Sequence, residues 1–178
     1  QKKKKNSGPE FDWTKGEVKE TPEAVEHIRK KYAALVSKKK KNLGMILDLM
    51  DKHNMWEDTM LIVGTDHGFL LGEHGWWGKN LMPYYNEIAN TPLFIWDPRS
   101  KKKNERRNAI VQMIDWAPTL LDYFDVAIPE TMKGKSLKET IETDVPVRKE
   151  CIYGVHGGHV NMYDGNYTYM RAPAFKEN

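Results

Sequence analysis

Cysteine is nearly absent from the sequence, and long apolar stretches are missing altogether. Cys151 is the single cysteine among 178 residues, which excludes an internal disulfide and a CxxC metal site. Its neighbours, KECIYGV, are typical of a strand, so we expect a small buried residue and not a reactive thiol. The apolar runs, such as residues 60–63, are far shorter than the roughly 20 residues that cross a bilayer, so we predict no membrane span.

The common phosphate-binding loops are also missing, because neither GxxxxGK[ST] nor GxGxxG occurs. The net charge is only +3, yet lysines form runs at residues 2–5, 38–41 and 101–103. Acidic residues are interleaved elsewhere and no aromatic-rich basic groove accompanies these runs, so we interpret them as solvated surface. We therefore expect no specific nucleic-acid partner. A noncatalytic polyanion-binding module that uses the lysine runs stays open as an alternative.

The amino-terminal half predicts a surface arm followed by a long helix. Residues 1–20 carry charges, glycine and proline without an apolar period, which is typical of a surface arm. Thr21 is a hydroxyl cap before a proline and an acidic residue, so it predicts a helix start. Apolar residues then recur every three or four positions over residues 25–50. Lys39 interrupts this stripe, so we expect a kink, a break or an exposed turn there.

Two short apolar runs and one further helix follow. TMLIVGT at residues 59–65 predicts a central strand covered on both faces, and TPLFIWDP at residues 91–98 predicts a second strand. Asp115 is predicted to cap a helix over residues 116–124, with Leu120, Leu121 and Phe124 facing inward.

The pattern changes near the carboxyl end. From Cys151 the apolar period becomes two, and Asp164 and Gly165 separate two aromatic-rich runs, which predicts a β-hairpin. The order of elements favours an α/β layered sheet that ends in antiparallel strands. We expect residues 21–145 to form one part of the fold and residues 146–178 to form the antiparallel strands of a carboxyl-terminal subdomain.

The candidate functional residues lie mainly in one stretch, LIVGTDHGFLLGEHGWWGK, residues 61–79. Asp66 and His67 follow a predicted strand, and ligands gather at the carboxyl ends of strands in open α/β sheets. A carboxylate and an imidazole can hold one cation if the chain turns after them, and Gly68 permits that turn, although an Asp in this position is often only a helix cap. Lys79 returns a cation to the same place, and a metal with a lysine indicates a phosphate or sulfate ester, the metal acting as Lewis acid.

Other residues of this stretch leave alternatives open. His74 could orient Lys79, form part of the site wall or hydrogen-bond to the backbone, and we favour a structural role. Trp76 and Trp77 could line a pocket for a sugar or aryl leaving group, or could anchor the loop by packing.

Three segments, TMLIVGTDHGFLLGEHGWWGKN, EIANTPLFIWDPRS and IVQMIDWAPTLLDYFDVAIPETMKGKSL, resemble the middle and later part of a sulfatase of the alkaline phosphatase superfamily. The resemblance covers about residues 32–141. Its most specific element is Asp-His-Gly, then Leu-Gly-Glu-His-Gly, then a lysine thirteen positions after the aspartate, as in iduronate-type and bacterial sulfatases. It implies an alkaline phosphatase/sulfatase-like fold, a sulfate ester substrate, Asp66 and His67 as ligands of a divalent cation, usually Ca²⁺, and Lys79 on a sulfate oxygen.

Several parts of the family's site have no counterpart in the sequence. The C/S-x-P-x-R motif, whose cysteine or serine becomes formylglycine, is absent, and Cys151 is followed by IYG. The family's first aspartate pair and its upstream lysine and histidine are absent too. We therefore expect the carboxyl-terminal portion of a longer enzyme, with the missing amino-terminal part as its partner, and no turnover by the isolated chain. A phosphodiesterase or phosphonate monoester hydrolase of the same superfamily is the nearest alternative.

Overall fold

The computed structural model describes residues 16–79, 83–154 and 158–172. Most of the predicted surface arm therefore lies outside the described residues. Nothing in the structure tests the predicted division at residues 145 and 146, which stays a prediction.

Helix α1 runs from Pro22 to Lys52 without a break. Thr21 caps it as predicted, since its hydroxyl accepts a hydrogen bond from the Ala24 amide at 3.3 Å. The turn at Lys39 is simply exposed. The apolar stripe is exposed as well, with Leu35 at 62% exposure, and Met50 is the one buried residue of the helix. No helix in the described ranges is long and apolar enough to span a membrane.

Strand β1, Leu61–Gly64, pairs antiparallel with β4, Leu93–Trp96. Leu61 lies opposite Trp96 and Gly64 opposite Leu93. The two strands form a sheet of their own in the described part of the chain, and Phe94 of β4 is 68% exposed. The expectation that β1 is covered on both faces is therefore wrong for the described residues.

A small antiparallel pair, β2 at Leu70–Leu71 and β3 at Trp77–Gly78, lies inside the motif stretch and was not predicted. It forms because glycines with positive φ, 97° at Gly72 and 77° at Gly75, allow the chain to reverse within a few residues. Leu70 is fully buried and packs with Ile88, which lies in helix α2, Asn86–Ala89.

The carboxyl-terminal strands form one antiparallel sheet in the order β5, β6, β7, at Cys151–Gly154, Val160–Tyr163 and Thr168–Arg171. The predicted hairpin is confirmed. Its turn is held by Asp164, whose Oδ1 accepts from the amides of Asn166 and Tyr167, both at 2.8 Å. Cys151 is buried as expected, and burial raises the pKa of its thiol.

Helix α3 spans Trp116–Tyr123 and helix α4 spans Lys138–Thr143. Asp115 precedes α3, but its side chain makes no cap hydrogen bond to that helix. Its buried carboxylate instead accepts from the amides of Gln112 at 2.7 Å and Lys135 at 2.9 Å, and from both terminal nitrogens of Arg148. This ion pair ties α3 to the segment that enters the carboxyl-terminal sheet. Phe124 is 69% exposed and Leu120 is 41% exposed, so the prediction that these two residues face inward is wrong, whereas Leu121 is half-buried.

We expect Asp115→Asn to lower the free energy of unfolding by about 3 kcal/mol, because it leaves the largely buried Arg148 guanidinium without a counter-charge. Burial raises the pKa of Asp115, but the bonds from Arg148 and two amides lower it more, so the pKa lies below its usual value. The pair thus stabilises the fold above the pKa of an unfolded aspartate, and this stability is lost as pH falls through the lower folded pKa.

Urea unfolding of the chain between pH 3 and pH 7 measures both effects, with the exposed Glu130→Gln as the control. Equal stability of Asp115→Asn and the wild type at neutral pH would contradict this account of the ion pair.

Candidate functional site

The turn after β1 carries the first two predicted site residues. Asp66 is exposed and His67 is half-buried. The amide of Gly68 donates to the carbonyl of Ile88 at 2.7 Å, and a Cβ on Gly68 would lie 1.8 Å from the carbonyl oxygen of Glu87. Glycine is required here because the turn lies directly against helix α2.

Asp66 and His67 direct two electron-pair donors at one point. Nδ1 of His67 lies 2.8 Å from the carbonyl oxygen of Gly68, and a carbonyl only accepts, so Nδ1 carries a proton. In the neutral ring Nε2 then holds a lone pair, and it lies 3.2 Å from Oδ2 of Asp66. An imidazole fixed through its second nitrogen in this way is oriented as in metal-ligating histidines.

Asp66 is held in its charged form. Desolvation raises its pKa, but the neighbouring His67 side chain and hydrogen bonds from the Thr65 hydroxyl, at 3.3 Å, and the His67 amide, at 3.1 Å, lower it more. The pKa of Asp66 is therefore below its usual value. The carboxylate is ionised at neutral pH and available to a cation.

The β2–β3 pair explains how Lys79 reaches these residues. Leu70 lies opposite Gly78, so Lys79 follows directly after the strand that returns beside β2. Its Nζ contacts Nε2 of His67. Three of the four residues predicted from the sequence thus meet at one place, two as electron-pair donors and one as a cation.

The hairpin is held from the side of helix α1. Nε of Arg29 donates to the carbonyl of Leu71 at 2.8 Å, and its terminal nitrogen pairs with Glu73 at 3.3 Å. Glu73 in turn accepts from the Leu71 amide at 2.5 Å. A guanidinium that bonds a carbonyl and a carboxylate together fixes the start of the turn in position.

The two tryptophans anchor the hairpin. The indole N–H of Trp77 donates to Glu20 at 2.8 Å, and Trp76 packs against the buried Leu70 and Ile88. Both residues are half-buried. Their contacts support packing anchors, the second of the two roles that the sequence allowed.

His74 lies apart from the Asp66, His67 and Lys79 group, at the tip of the hairpin. Its backbone is left-handed, with φ 55°. Its Nε2 lies 3.2 Å from both carboxylate oxygens of Glu87, and its ring stacks on Tyr85 at 3.8 Å between centroids and 11° between planes. The possible role of His74 in orienting Lys79 for catalysis, one of the alternatives that the sequence left open, stays a prediction. Its partners Glu87 and Tyr85 carry no signal in the sequence, since no periodic pattern relates them to the motif.

The donor set fits part of a metal site. Ligands at right angles about 2.3 Å from one cation lie about 3.3 Å apart, close to the 3.2 Å between Asp66 and His67. No group of three or more His, Cys, Asp or Glu residues with the geometry for a metal ion occurs in residues 16–79, 83–154 and 158–172. Further ligands would have to come from outside these residues.

Comparison with known proteins identifies the family of this chain. The family described as N-sulphoglucosamine sulphohydrolase, C-terminal, matches residues 72–164, about half of the chain. The chain belongs to the sulfatase family of the alkaline phosphatase superfamily. It is 36% identical over 113 residues to the N-acetylglucosamine-6-O-sulfatase of Bacteroides thetaiotaomicron, and 27% identical over 154 residues to the arylsulfatase of Clostridium perfringens. These matches cover 64% and 85% of this sulfatase chain.

The sulfatase chain spans only 20% and 31% of the length of those two relatives. Among solved structures it is similar to BT4656 in complex with its substrate D-glucosamine-2-N,6-O-disulfate, with a TM-score of 0.64 and 30% identity over 73% of this chain and 28% of that one. It is also similar in fold to the phosphonate monoester hydrolase SpPMH from Silicibacter pomeroyi, with a TM-score of 0.78 and 24% identity over 87% and 34% of the two chains. The predicted fold class is confirmed.

We expect Gly68→Ala to lower the free energy of unfolding by about 2 kcal/mol or more, because the added methyl overlaps the Glu87 carbonyl. Gly44→Ala is the matched control. A Cβ on Gly44 in helix α1 meets no atom within 4 Å, so that change should stabilise by about 0.5–1 kcal/mol. Thermal or urea unfolding compares the two, and a Gly68→Ala chain as stable as the Gly44→Ala chain would disprove the close approach.

Proposed function

We propose that the parent protein is a sulfuric ester hydrolase, and that this chain supplies two ligands of its divalent metal ion and one lysine that contacts the sulfate group. The observation that carries the proposal is the meeting of Asp66, His67 and Lys79 at the end of β1. The nucleophile, a formylglycine, would come from sequence upstream of this chain.

The chemistry follows from the charges in the site. A sulfate ester bears a negative charge, and attack at sulfur develops more charge on its oxygens, which cationic groups stabilise. Asp66 and His67 would hold the divalent ion, proposed to be Ca²⁺, which supplies Lewis-acid stabilisation when bound. Lys79 places an ammonium beside the same point and would neutralise a sulfate oxygen. Two ligands alone should hold calcium weakly, since Ca²⁺ takes six to eight.

The names of similar proteins narrow the proposed substrate. The matching family is named for N-sulphoglucosamine, one relative for N-acetylglucosamine-6-O-sulfate, and one solved structure holds a glucosamine disulfate. On this support we propose a sulfated amino sugar as the substrate class. A panel of sulfated glucosamines and simple aryl sulfates would separate this class from the arylsulfatases.

Exposed apolar surface supports a partner in the form of the upstream part of the same protein. Helix α1 presents its apolar stripe to solvent, and β4 adds Phe94 beside the site strand. Apolar side chains that are exposed as a group, and not singly, indicate an interaction surface. We propose that the upstream part covers these residues: Ile28, Tyr32, Leu35, Val36, Met45, Ile46, Leu49 and Phe94.

Each of two alternative functions is supported by a specific observation. Similarity in fold to a phosphonate monoester hydrolase supports a phosphoryl or phosphonyl substrate, and metal analysis of the parent would then find two transition metals instead of calcium. The lysines at residues 38–41 and 101–103 are exposed, which supports a polyanion-binding module. Heparin affinity that falls steeply with salt and survives Asp66→Ala would favour that module.

Peptide mass mapping of the parent protein tests the proposal most directly. We expect a C/S-x-P-x-R segment upstream of residue 1, with its first residue converted to formylglycine. An unmodified threonine or serine nucleophile there would move the assignment to phosphoryl or phosphonyl transfer. A parent without upstream sequence would refute hydrolysis by this site.

We expect Lys79→Ala in the parent protein to lower kcat for a sulfate ester by about 10²–10³, the range for loss of one donor to developing charge. Lys149→Ala is the control, because that lysine is exposed on the segment before β5. Steady-state kinetics measure both variants, and the isolated chain should show no turnover in the same assay. Activity of the Lys79→Ala parent within twofold of wild type would remove Lys79 from the mechanism.

A further inference from the structure

Helix α2 contacts the segment that builds the site at two points. On one side the Gly68 amide, directly after Asp66 and His67, donates to the Ile88 carbonyl at 2.7 Å. On the other side the hairpin tip is held through His74, whose partners Glu87 and Tyr85 lie in or beside α2. One short helix therefore contacts both the metal-ligand turn and the loop that returns Lys79.

The contact at the tip is specific in its chemistry. A carboxylate only accepts, so Nε2 of His74 carries the proton that it shares with the two oxygens of Glu87. The imidazole ring of His74 stacks on the ring of Tyr85 with nearly parallel planes. The left-handed backbone of His74, which a non-glycine residue adopts only at a cost, is stabilised by these two side-chain contacts.

The pairing of β2 with β3 does little by itself to fix the position of Lys79. β2 and β3 pair over two residues each, Leu70 with Gly78 and Leu71 with Trp77. Isolated two-stranded hairpins are only marginally stable, so the position of the returning strand depends on what holds the tip. Arg29 holds it from α1, through Leu71 and Glu73. Glu87 holds it from α2.

We propose that Glu87 is a positioning residue for Lys79, acting through His74 and the hairpin. This inference rests on the proposed sulfate contact of Lys79. Glu87 does not join the Asp66, His67 and Lys79 group and would touch no reacting atom. Its effect would be to keep the hairpin at the angle that places the Lys79 ammonium beside His67.

A double-mutant cycle in the parent enzyme separates positioning from general support of the fold. We expect Glu87→Ala to lower kcat about tenfold, as a misplaced catalytic group does, and to change kcat less than twofold in a Lys79→Ala background. Glu87→Gln keeps a hydrogen-bond acceptor for His74 and should recover kcat to within about threefold of wild type. Glu26→Ala is the control, since Glu26 pairs with Lys30 on the exposed surface of α1.

The outcomes are distinguishable. Equal losses from Glu87→Ala in both backgrounds, or no loss in either, would overturn the positioning role while Lys79 keeps its own. A Lys79→Ala enzyme with full activity would instead overturn the proposed function on which the inference rests. If Glu87→Ala does not fold, His74→Asn replaces it in the cycle, and the same failure of additivity with Lys79→Ala is expected.

Discussion

The close approach of Gly68 to helix α2 is the constraint on which the rest of the site depends. Only hydrogen fits between this residue and the Glu87 carbonyl, and the Gly68 amide bonds the next carbonyl, that of Ile88. The same approach brings Leu70 against Ile88, two fully buried side chains on which Trp76 and Tyr85 pack. The apolar contact and the turn thus stabilise each other.

The chemistry was predictable from the sequence, whereas the structure that assembles it was less so. Asp66, His67 and Lys79 lie within fourteen residues, so a local motif was sufficient to propose them together. The hairpin between them was not predicted, because two-residue strands are too short to show an alternating pattern. The sequence predicted that Gly68 permits a turn, but the Glu87 carbonyl that this turn approaches comes from a separate segment.

Long-range partners explain the other differences. Asp115 has the sequence context of a helix cap, yet Arg148, 33 residues later, takes its carboxylate in the folded chain. Local sequence propensity cannot predict a partner so far along the chain. The ion pair is preferred over the cap because an unpaired buried charge costs more free energy than a lost cap hydrogen bond. The apolar stripe of α1 was predicted correctly as a pattern, but a pattern does not say whether the covering layer lies in the same stretch of chain.

The carboxyl-terminal sheet contributes to the site through the same helix. Asn161 of β6 is fully buried, and its side-chain amide donates to the carbonyl of Tyr84 at 2.6 Å, just before α2. The segment from Tyr84 to Ile88 therefore receives contacts from β6, from the Gly68 turn and from the hairpin tip. A segment held on three sides has few alternative positions, since each contact would have to break for it to move. This segment couples the β2–β3 pair to the carboxyl-terminal sheet, so β6 supports the site through Tyr84 and helix α2.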